Sequence, residues 1–467
     1  MSHIGIRCGF IFYPFLFFII FFIPACSKDV KNTQPEFNRQ DTAYLHFLQN
    51  HDFRSLKYGI LVHYVAGATV YRDGTVCRNN DSLTANFDPV KFAAEIDSMQ
   101  VEYLIFTAWH KDMRLLYPSV KMDSWITGHT SHKDLIGEIL TAVGAKGIKV
   151  LLYTHPYLGY HFDDQEKNAT GWGAGVNLLG DDAPNWHTFK YAKWNDFIND
   201  IYRDLLDKYG SRISGLFIDE GDKRANMDKA VDFPRLRSTI KSRFPNLIMI
   251  QNNHGKLYWS DIGAKEYFGW EEFGQVNSNK WPSSGSPVVS VISRDWWASL
   301  PHSSVALRYN VESLFTYTVV QAGINVQGGG VAWAASPYVY GGWERGVKEQ
   351  LIALGELIAP ISKSVKHTYA STSFITPAGS TLNQLSWGVA TKSTDDSYEY
   401  IHVLKAPSGK VLKLPLPSDK KKFGSARILN SGHPVSITYV ANGINLTLQN
   451  ADAWDSLDTV IELTVLR

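Results

Sequence analysis

Carboxylates, imidazoles and aromatic rings recur in this chain just where short apolar runs end. Gly59-Ile-Leu-Val runs into His63-Tyr64, Phe106-Thr-Ala into Trp109-His110, Tyr153-Thr into His155, and Phe217-Ile into Asp219-Glu220-Gly-Asp222. Farther on come Gln251-Asn-Asn-His254, Lys265-Glu266-Tyr and Gly269-Trp270-Glu271-Glu272. Brought to one rim, these residues make a polar, aromatic-lined cup that suits a sugar, with hydrogen bonds for hydroxyls and a flat face under the ring. Two carboxyl groups about 5–5.5 Å apart across such a cup serve a retaining glycosidase as nucleophile and acid/base. At that spacing, with an effective dielectric near 20, their repulsion is about 3 kcal/mol, or roughly two pKa units. One then stays ionised while its neighbour keeps its proton near neutrality. Asp219 closes an apolar strand and is the expected nucleophile; the bland alternative is a solvated loop acid clustered with Glu220 and Asp222. That triplet has no metal-ligand spacing nearby, so no metal and no cofactor are expected.

Those residues need a scaffold that collects strand ends. From about residue 50 to 360, apolar, β-branched runs alternate with amphipathic segments. The runs are 58–65, 101–108, 148–154, 213–219, 247–252, 264–268, 288–292 and 324–328; helical patterns include 133–145, 194–209, 228–244, 311–322 and 343–358. Near-continuous apolar runs are what strands buried on both faces require. Alternation of the two kinds implies a parallel sheet, and eight runs in some 300 residues predict a (β/α)8-like TIM barrel, whose active site lies at the C-terminal strand ends. Stretches 68–88, 155–187 and 276–304 show no period and read as long functional loops. Beyond about residue 363 the pattern shifts to short alternating strands (400–405, 410–416, 426–429, 435–440, 444–448, 459–465) split by turn signals such as Asn430-Ser-Gly and Asn442-Gly. This predicts a C-terminal antiparallel β-sandwich over 363–467, after a barrel over 46–362.

The motifs also resemble a known family. Lys57-Tyr-Gly-Ile-Leu-Val-His63-Tyr, Thr107-Ala-Trp109-His110, Tyr209-Gly followed by Gly215-Leu-Phe-Ile-Asp219, Asn252-Asn-His254-Gly, Asp261–Glu266 and Ala322-Gly-Ile-Asn325 with Gly328-Gly-Gly resemble, in order and spacing, the α-L-fucosidases of glycoside hydrolase family 29. The resemblance implies a retaining exo-glycosidase that removes terminal α-L-fucosyl residues from an oligosaccharide or glycoconjugate, with Asp219 as nucleophile. It offers two positions for the acid/base: Glu266, by its distance from Asn252, and Glu271, after Trp270. It places His63, Trp109, His110, Tyr153, His254 and Trp270 around the sugar; His155, Trp296 and Trp297 could line the loops above. A lone histidine at a strand end is as often structural, so their joint placement carries more than any one of them. The chain departs from the family where it has Trp109 before His110 in place of paired histidines, Phe217 two residues before Asp219 in place of Trp, Tyr64 in place of Trp, and His254 in place of Arg. Lost hydrogen bonds to a hydroxyl change sugar discrimination strongly. A same-fold glycosidase for another L-sugar, or a non-catalytic glycan-binding surface protein, therefore stays open.

The N-terminus bears on compartment. Arg7 precedes an uncharged, phenylalanine-rich run up to Ser27, which reads as a secretory leader or, alternatively, as an uncleaved anchor helix. Ile23-Pro24-Ala25-Cys26-Ser27 resembles a bacterial lipobox, which implies removal of residues 1–25, lipidation of Cys26, a tether over 26–45, and a lipid-anchored place in the cell envelope. Cys77 is then the one other mature thiol, without an intramolecular disulfide partner, and reads as structural. With 46 basic and 45 acidic side chains the net charge is +1, which argues against a nucleic-acid partner.

Overall fold

A computed structural model describes residues 53–110, 112–156, 159, 161–173, 188–219, 230–252, 259–267, 288–291, 297, 299, 307, 309–325, 328–376, 382–449 and 452–466. Cys26, His254, Trp270, Glu271 and Trp296 lie outside the described residues, as do the leader and tether. Among the described residues no helix is long and apolar enough to cross a membrane.

The first nine strands are β1 (Tyr58–Val62), β2 (Tyr103–Thr107), β3 (Lys149–Thr154), β4 (Gly215–Ile218), β5 (Ile248–Gln251), β6 (Ile262–Gly263), β7 (Lys265–Tyr267), β8 (Val288–Val291) and β9 (Val331–Ala334). They form one parallel sheet in the order β6-β5-β4-β3-β2-β1-β9-β8-β7. Its two edges, β6 and β7, are one residue apart in the chain, flanking Ala264. The sheet therefore closes on itself, with β6 and β7 sharing one of eight positions. Side chains alternate as the barrel requires. Leu61, Tyr103, Ile105, Leu151, Tyr153, Phe217, Ile248, Ile250, Ile262, Ala332 and Ala334 fill the interior above Phe53 and Leu56. Their neighbours, such as Ile60, Leu104, Leu152, Leu216 and Ile218, pack outward against the helices.

The helices begin where side-chain caps allow. Asp134 caps Leu135–Gly144 and Asp232 caps Phe233–Arg243, whose Pro234 stands in the first turn. The helical pattern from 228 thus starts late. The apolar face of the long helix Tyr191–Tyr209 is spent on the barrel wall, where Trp194, Phe197, Ile198, Ile201 and Leu205 are buried.

Three expectations need correction. The described residues of the apolar run 324–328 form no strand: Ile324 ends the helix Val311–Ile324, and Gly328 and its neighbour Gly329 hold φ of 95° and 97°. The strand comes after them, at β9. The helix predicted from 343 begins at Val347, because Trp343 is engaged in a bridge with Pro337. The aperiodic stretches 68–88 and 155–187 contain short helices, Asn80–Ala85 and Asp164–Thr170, the second closed by an Asp163/Glu166 capping box.

Eight antiparallel strands follow: β10 (Thr368–Ala370), β11 (Gly388–Ser393), β12 (Tyr398–Val403), β13 (Val411–Pro415), β14 (Lys422–Ile428), β15 (Pro434–Val440), β16 (Gly443–Leu448) and β17 (Thr459–Leu466), ordered β10-β11-β12-β17-β14-β15-β16-β13. β14 and β15 share only the pairs Ala426–Val435 and Arg427–Pro434, and there the sheet folds over. Ile401, Ile461 and Leu463 from one half then share a core with Leu412, Ile444 and Leu446 from the other, which makes a sandwich.

Candidate active site

Asp219 is the residue after β4, and its backbone N–H still donates to the Thr154 carbonyl at 3.0 Å. Because Phe217 faces the barrel interior, the residue two farther on faces the mouth above it. The Asp219 side chain is buried to 8% exposure and receives a donor on each oxygen. The Tyr153 hydroxyl donates to Oδ2, and Asn252 Nδ2 donates to Oδ1 at 2.5 Å. Asn252 sits beyond β5 in register with Asp219, its own N–H donating to the Ile218 carbonyl at 2.9 Å. Two donors from the flanking strands thus fix the carboxylate's orientation without neutralising it.

Rings wall the space beside it. The Tyr153 ring stacks on Phe217 at 5.7 Å, and meets His63 edge-on at 5.3 Å and His110 face-on at 5.7 Å. His63 and His110 lie 4.6 Å apart, and His155 adds its ring to His110 at 5.0 Å. His63 is set by its backbone, whose N–H donates to Ser336 Oγ beyond β9 at 2.8 Å. So Asp219, His63, His110 and Tyr153 converge as the sequence leads one to expect.

Trp109 does not join them. The in-and-out alternation of β2 stops at Thr107, and Ala108 and Trp109 both pack into the outer core. The indole is fully buried, edge-on to Tyr202 of the helix Tyr191–Tyr209 at 5.2 Å, and its Nε1 donates to the His155 carbonyl at 3.0 Å. It holds the backbone under His155 and has no face left for a sugar. Glu266 occupies the middle of β7, opposite Val289 of β8, on the barrel wall. Trp297 packs against the interior core, and its carbonyl accepts from Ser336 Oγ at 3.4 Å. Asn252 is a partner of Asp219 that the motif reading quoted but did not place; its register beside Asp219 is the signal that finds it.

Asp219, His110 and His155 also form the one group among the described residues that could hold a metal ion, with ligand atoms within 4.8 Å of one another. Both Asp219 oxygens already accept hydrogen bonds from Tyr153 and Asn252, so an ion would compete with those donors.

His110 stands at the edge of a strained turn. Asp112 and Met113 hold φ of 59° and 46°, each costing about 1–3 kcal/mol for a residue with a side chain. A buried histidine restrains them: His129 Nδ1 meets the Asp112 carbonyl at 2.6 Å and Nε2 meets Glu166 Oε1 at 2.9 Å. The ring thus ties the turn to the helix Asp164–Thr170. A hydrogen bond of this kind contributes about 0.5–1.5 kcal/mol. Glu166→Ala is expected to lower kcat/KM on an aryl glycoside roughly tenfold, with His110 losing its fixed place. Glu166→Gln keeps an oxygen toward His129 and is expected to retain most of the activity. Equal kinetics of the two variants, measured side by side with their melting temperatures, would show that the turn does not govern His110.

Part of the sequence and the fold resemble known proteins. Residues 71–290 match the family model described as alpha-L-fucosidase. The fold is similar to alpha-L-fucosidase isoenzyme 1 from Paenibacillus thiaminolyticus, at 18% identity and a TM-score of 0.65, covering 91% of this chain and all of that one. It is similar also to a family 29 alpha-L-fucosidase of Bacteroides thetaiotaomicron, trapped as a covalent intermediate with 2-fluoro-fucosyl fluoride, at 15% identity and a TM-score of 0.65 over 89% of this chain and 96% of that one. The alpha-fucosidase of Thermotoga maritima follows at 16% identity and a TM-score of 0.59, over 89% and 98% of the two chains. A sequence search of curated proteins finds no match. The stretch of chain that carries Asp219 thus lies within the match to the alpha-L-fucosidase model, and this protein is a glycoside hydrolase.

Proposed function

We propose that this protein is a retaining exo-α-L-fucosidase in which Asp219 attacks the anomeric carbon. The observation that supports the reading is the doubly held Asp219 carboxylate at the mouth of a closed barrel, beside His63, His110 and Tyr153. Attack would form a glycosyl ester on Asp219 and expel the aglycone as an alcohol protonated by a second carboxyl, Glu266 or Glu271. Water, deprotonated by that same residue, would then release the sugar with its original anomeric configuration. The Bacteroides relative, caught as a covalent intermediate, supports a double displacement. His63 and His110 would take hydroxyls of the bound sugar, and His254 and Trp270 stay candidates for the same shell. The lipobox-like Ile23–Cys26 supports lipidation of Cys26 and a cell-envelope location, with residues 1–25 as leader and 26–45 as tether.

Trp109's withdrawal into the core favours a second reading on sugar identity, because the mouth presents one polar ring fewer than paired histidines would supply. A panel of aryl glycosides decides. The α-L-fucoside is expected to be hydrolysed, and proton NMR in the first minutes should show the α-anomer of free fucose before it mutarotates. Faster turnover of the α-L-galactoside, which adds only a hydroxyl at C6, would move the assignment to that sugar. First release of the β-anomer would remove the covalent mechanism.

A further inference from the structure

Two loops rise from the mouth beside His63, and they are built into one another. The loop after β1 folds back through a Val70–Val76 bridge, with the Tyr71 N–H donating to the Thr75 carbonyl at 2.8 Å. The loop after β9 folds back through the Pro337–Trp343 bridge, with the Tyr338 N–H donating to the Gly342 carbonyl at 2.8 Å. The Val339 N–H donates to the Val70 carbonyl at 3.0 Å and joins the two. Both loops depart from strands whose ends touch in the mouth, since Ser336 accepts the His63 N–H.

The tip of the second loop is strained in a way that stability does not explain. Tyr340, Gly341 and Gly342 all hold positive φ, of 69°, 84° and 80°. Glycine bears this without cost, and the Arg72 guanidinium closes over Gly342, where a Cβ would stand 2.4 Å from Nη2. Tyr340 bears it as a bulky residue, yet 53% of it is exposed, so burial does not offset the strain. Its ring nevertheless lies against that of Tyr71, with centroids 5.3 Å apart. The Tyr71 hydroxyl donates to the buried thiol of Cys77 at 3.7 Å, and Cys77, with Tyr340 beside it, pushes the Tyr71 pKa upward. At Arg72 and Gly342, one and two residues along the chain from these tyrosines, a cleft of about 500 Å³ opens toward the helix Val347–Ile358, lined also by Glu95, Trp343, Glu344, Arg345 and Lys348. Trp343 is set there by stacking on Phe92 and by its Nε1, which donates to Glu95 at 2.8 Å.

A strained, half-exposed, oriented aromatic beside a cleft of alternating guanidinium, ammonium and carboxylate groups fits a neutral saccharide. The ring faces supply stacking, and the charged forks supply donors and acceptors to adjacent hydroxyls. We propose that Tyr340 and Tyr71, with the Arg72–Trp343 cleft, bind the neutral oligosaccharide on the leaving-group side of the scissile bond. The assignment of a leaving-group side rests on the hydrolytic reading of the Asp219 mouth; the binding of a saccharide does not.

Tyr340→Gly removes the ring and relieves the backbone, so folding is not endangered and the melting temperature should not fall. Kinetics are measured on an aryl α-L-fucoside and on a fucosylated trisaccharide, and binding of lactose, which carries no fucose, is followed by saturation-transfer NMR. The ratio of kcat/KM for the trisaccharide to that for the aryl fucoside is expected to fall at least tenfold, and the lactose signal to vanish. An unchanged ratio, or a lactose signal equal in both proteins, overturns the subsite. Wild-type protein that cleaves neither fucoside defeats the hydrolytic reading instead; lactose binding that depends on Tyr340 then still establishes the saccharide site, and its absence from the wild type removes it.

Discussion

Asp219→Ala is expected to lower kcat on an aryl α-L-fucoside by about 10⁴-fold or more, the scale on which enzymes lose activity with their nucleophile. The protein should stay folded. Asp219 lies at the end of β4, above the interior layer of Phe217 and Tyr153, and its neighbours Tyr153 and Asn252 can rehydrate through the space the carboxylate leaves. Loss of activity alone does not separate a nucleophile from an aspartate that merely orients Tyr153. Azide does. In the alanine variant a small anion can enter the vacated space, attack the anomeric carbon from the face Asp219 used, and expel the aryl alkoxide. The product expected is β-L-fucosyl azide, inverted relative to the α-substrate, with turnover rising as azide is added. Recovery of activity without a glycosyl azide, or an α-azide, would assign Asp219 a positioning role and move the nucleophile elsewhere.

How far such a site can be read from residues alone depends on whether its geometry is set by strand periodicity. Where a functional residue follows a strand without interruption, parity and position fix it. His63, Tyr153 and Asp219 fall at the mouth because the runs 58–65, 148–154 and 213–219 are apolar on both faces and end together. Trp109 fails on the same logic, since β2 ends at Thr107 and the chain turns outward before it. Nothing in Thr107-Ala-Trp-His marks that turn; Trp109 is decided by Tyr202, some ninety residues on, which offers its ring a packing partner. Glycine misleads in a similar way near β9: Ile324-Asn-Val-Gln-Gly looks extended, but Ile324 completes a helix, and the positive φ of Gly328 and Gly329 delays the strand to Val331. In the sandwich, Gly388-Val-Ala-Thr-Lys-Ser and Thr368-Tyr-Ala were missed because small and polar residues give little alternation; they are strands through their pairing with β12 and β11. The loop tyrosines Tyr71 and Tyr340 lie beyond any periodic signal, because contacts between loops specify their placement.

Lys421→Met is expected to destabilise the sandwich by about 3–5 kcal/mol, the cost of stripping one partner from a buried ion pair. Glu399 of β12 has a fully buried side chain, and its carboxylate accepts from Lys421 Nζ at 2.9 Å and from Ser373 Oγ at 3.0 Å. Lys421 reaches Asp396 at 2.7 Å and Asp419 at 3.3 Å as well, so one ammonium serves three carboxylates. Burial pushes the Glu399 carboxyl above its ordinary value, against the pull of its hydrogen bonds. Burial alone would depress the Lys421 ammonium, and its bonds to Asp396 and Glu399 together outweigh that and raise it. In the methionine variant Glu399 loses its counter-charge and is driven further toward the protonated form. A carboxyl whose folded pKa lies above its unfolded one leaves stability intact below the unfolded value, near 4, and erodes it as pH rises through the folded value. The variant's deficit in urea denaturation should therefore be small near pH 4 and grow toward neutrality. A double variant with Glu399→Gln removes the stranded charge and should recover part of the loss at pH 7 while changing little at pH 4. A deficit independent of pH, or no recovery in the double variant, would mean that packing of the Lys421 stem holds the sandwich together and that the ion pair adds nothing.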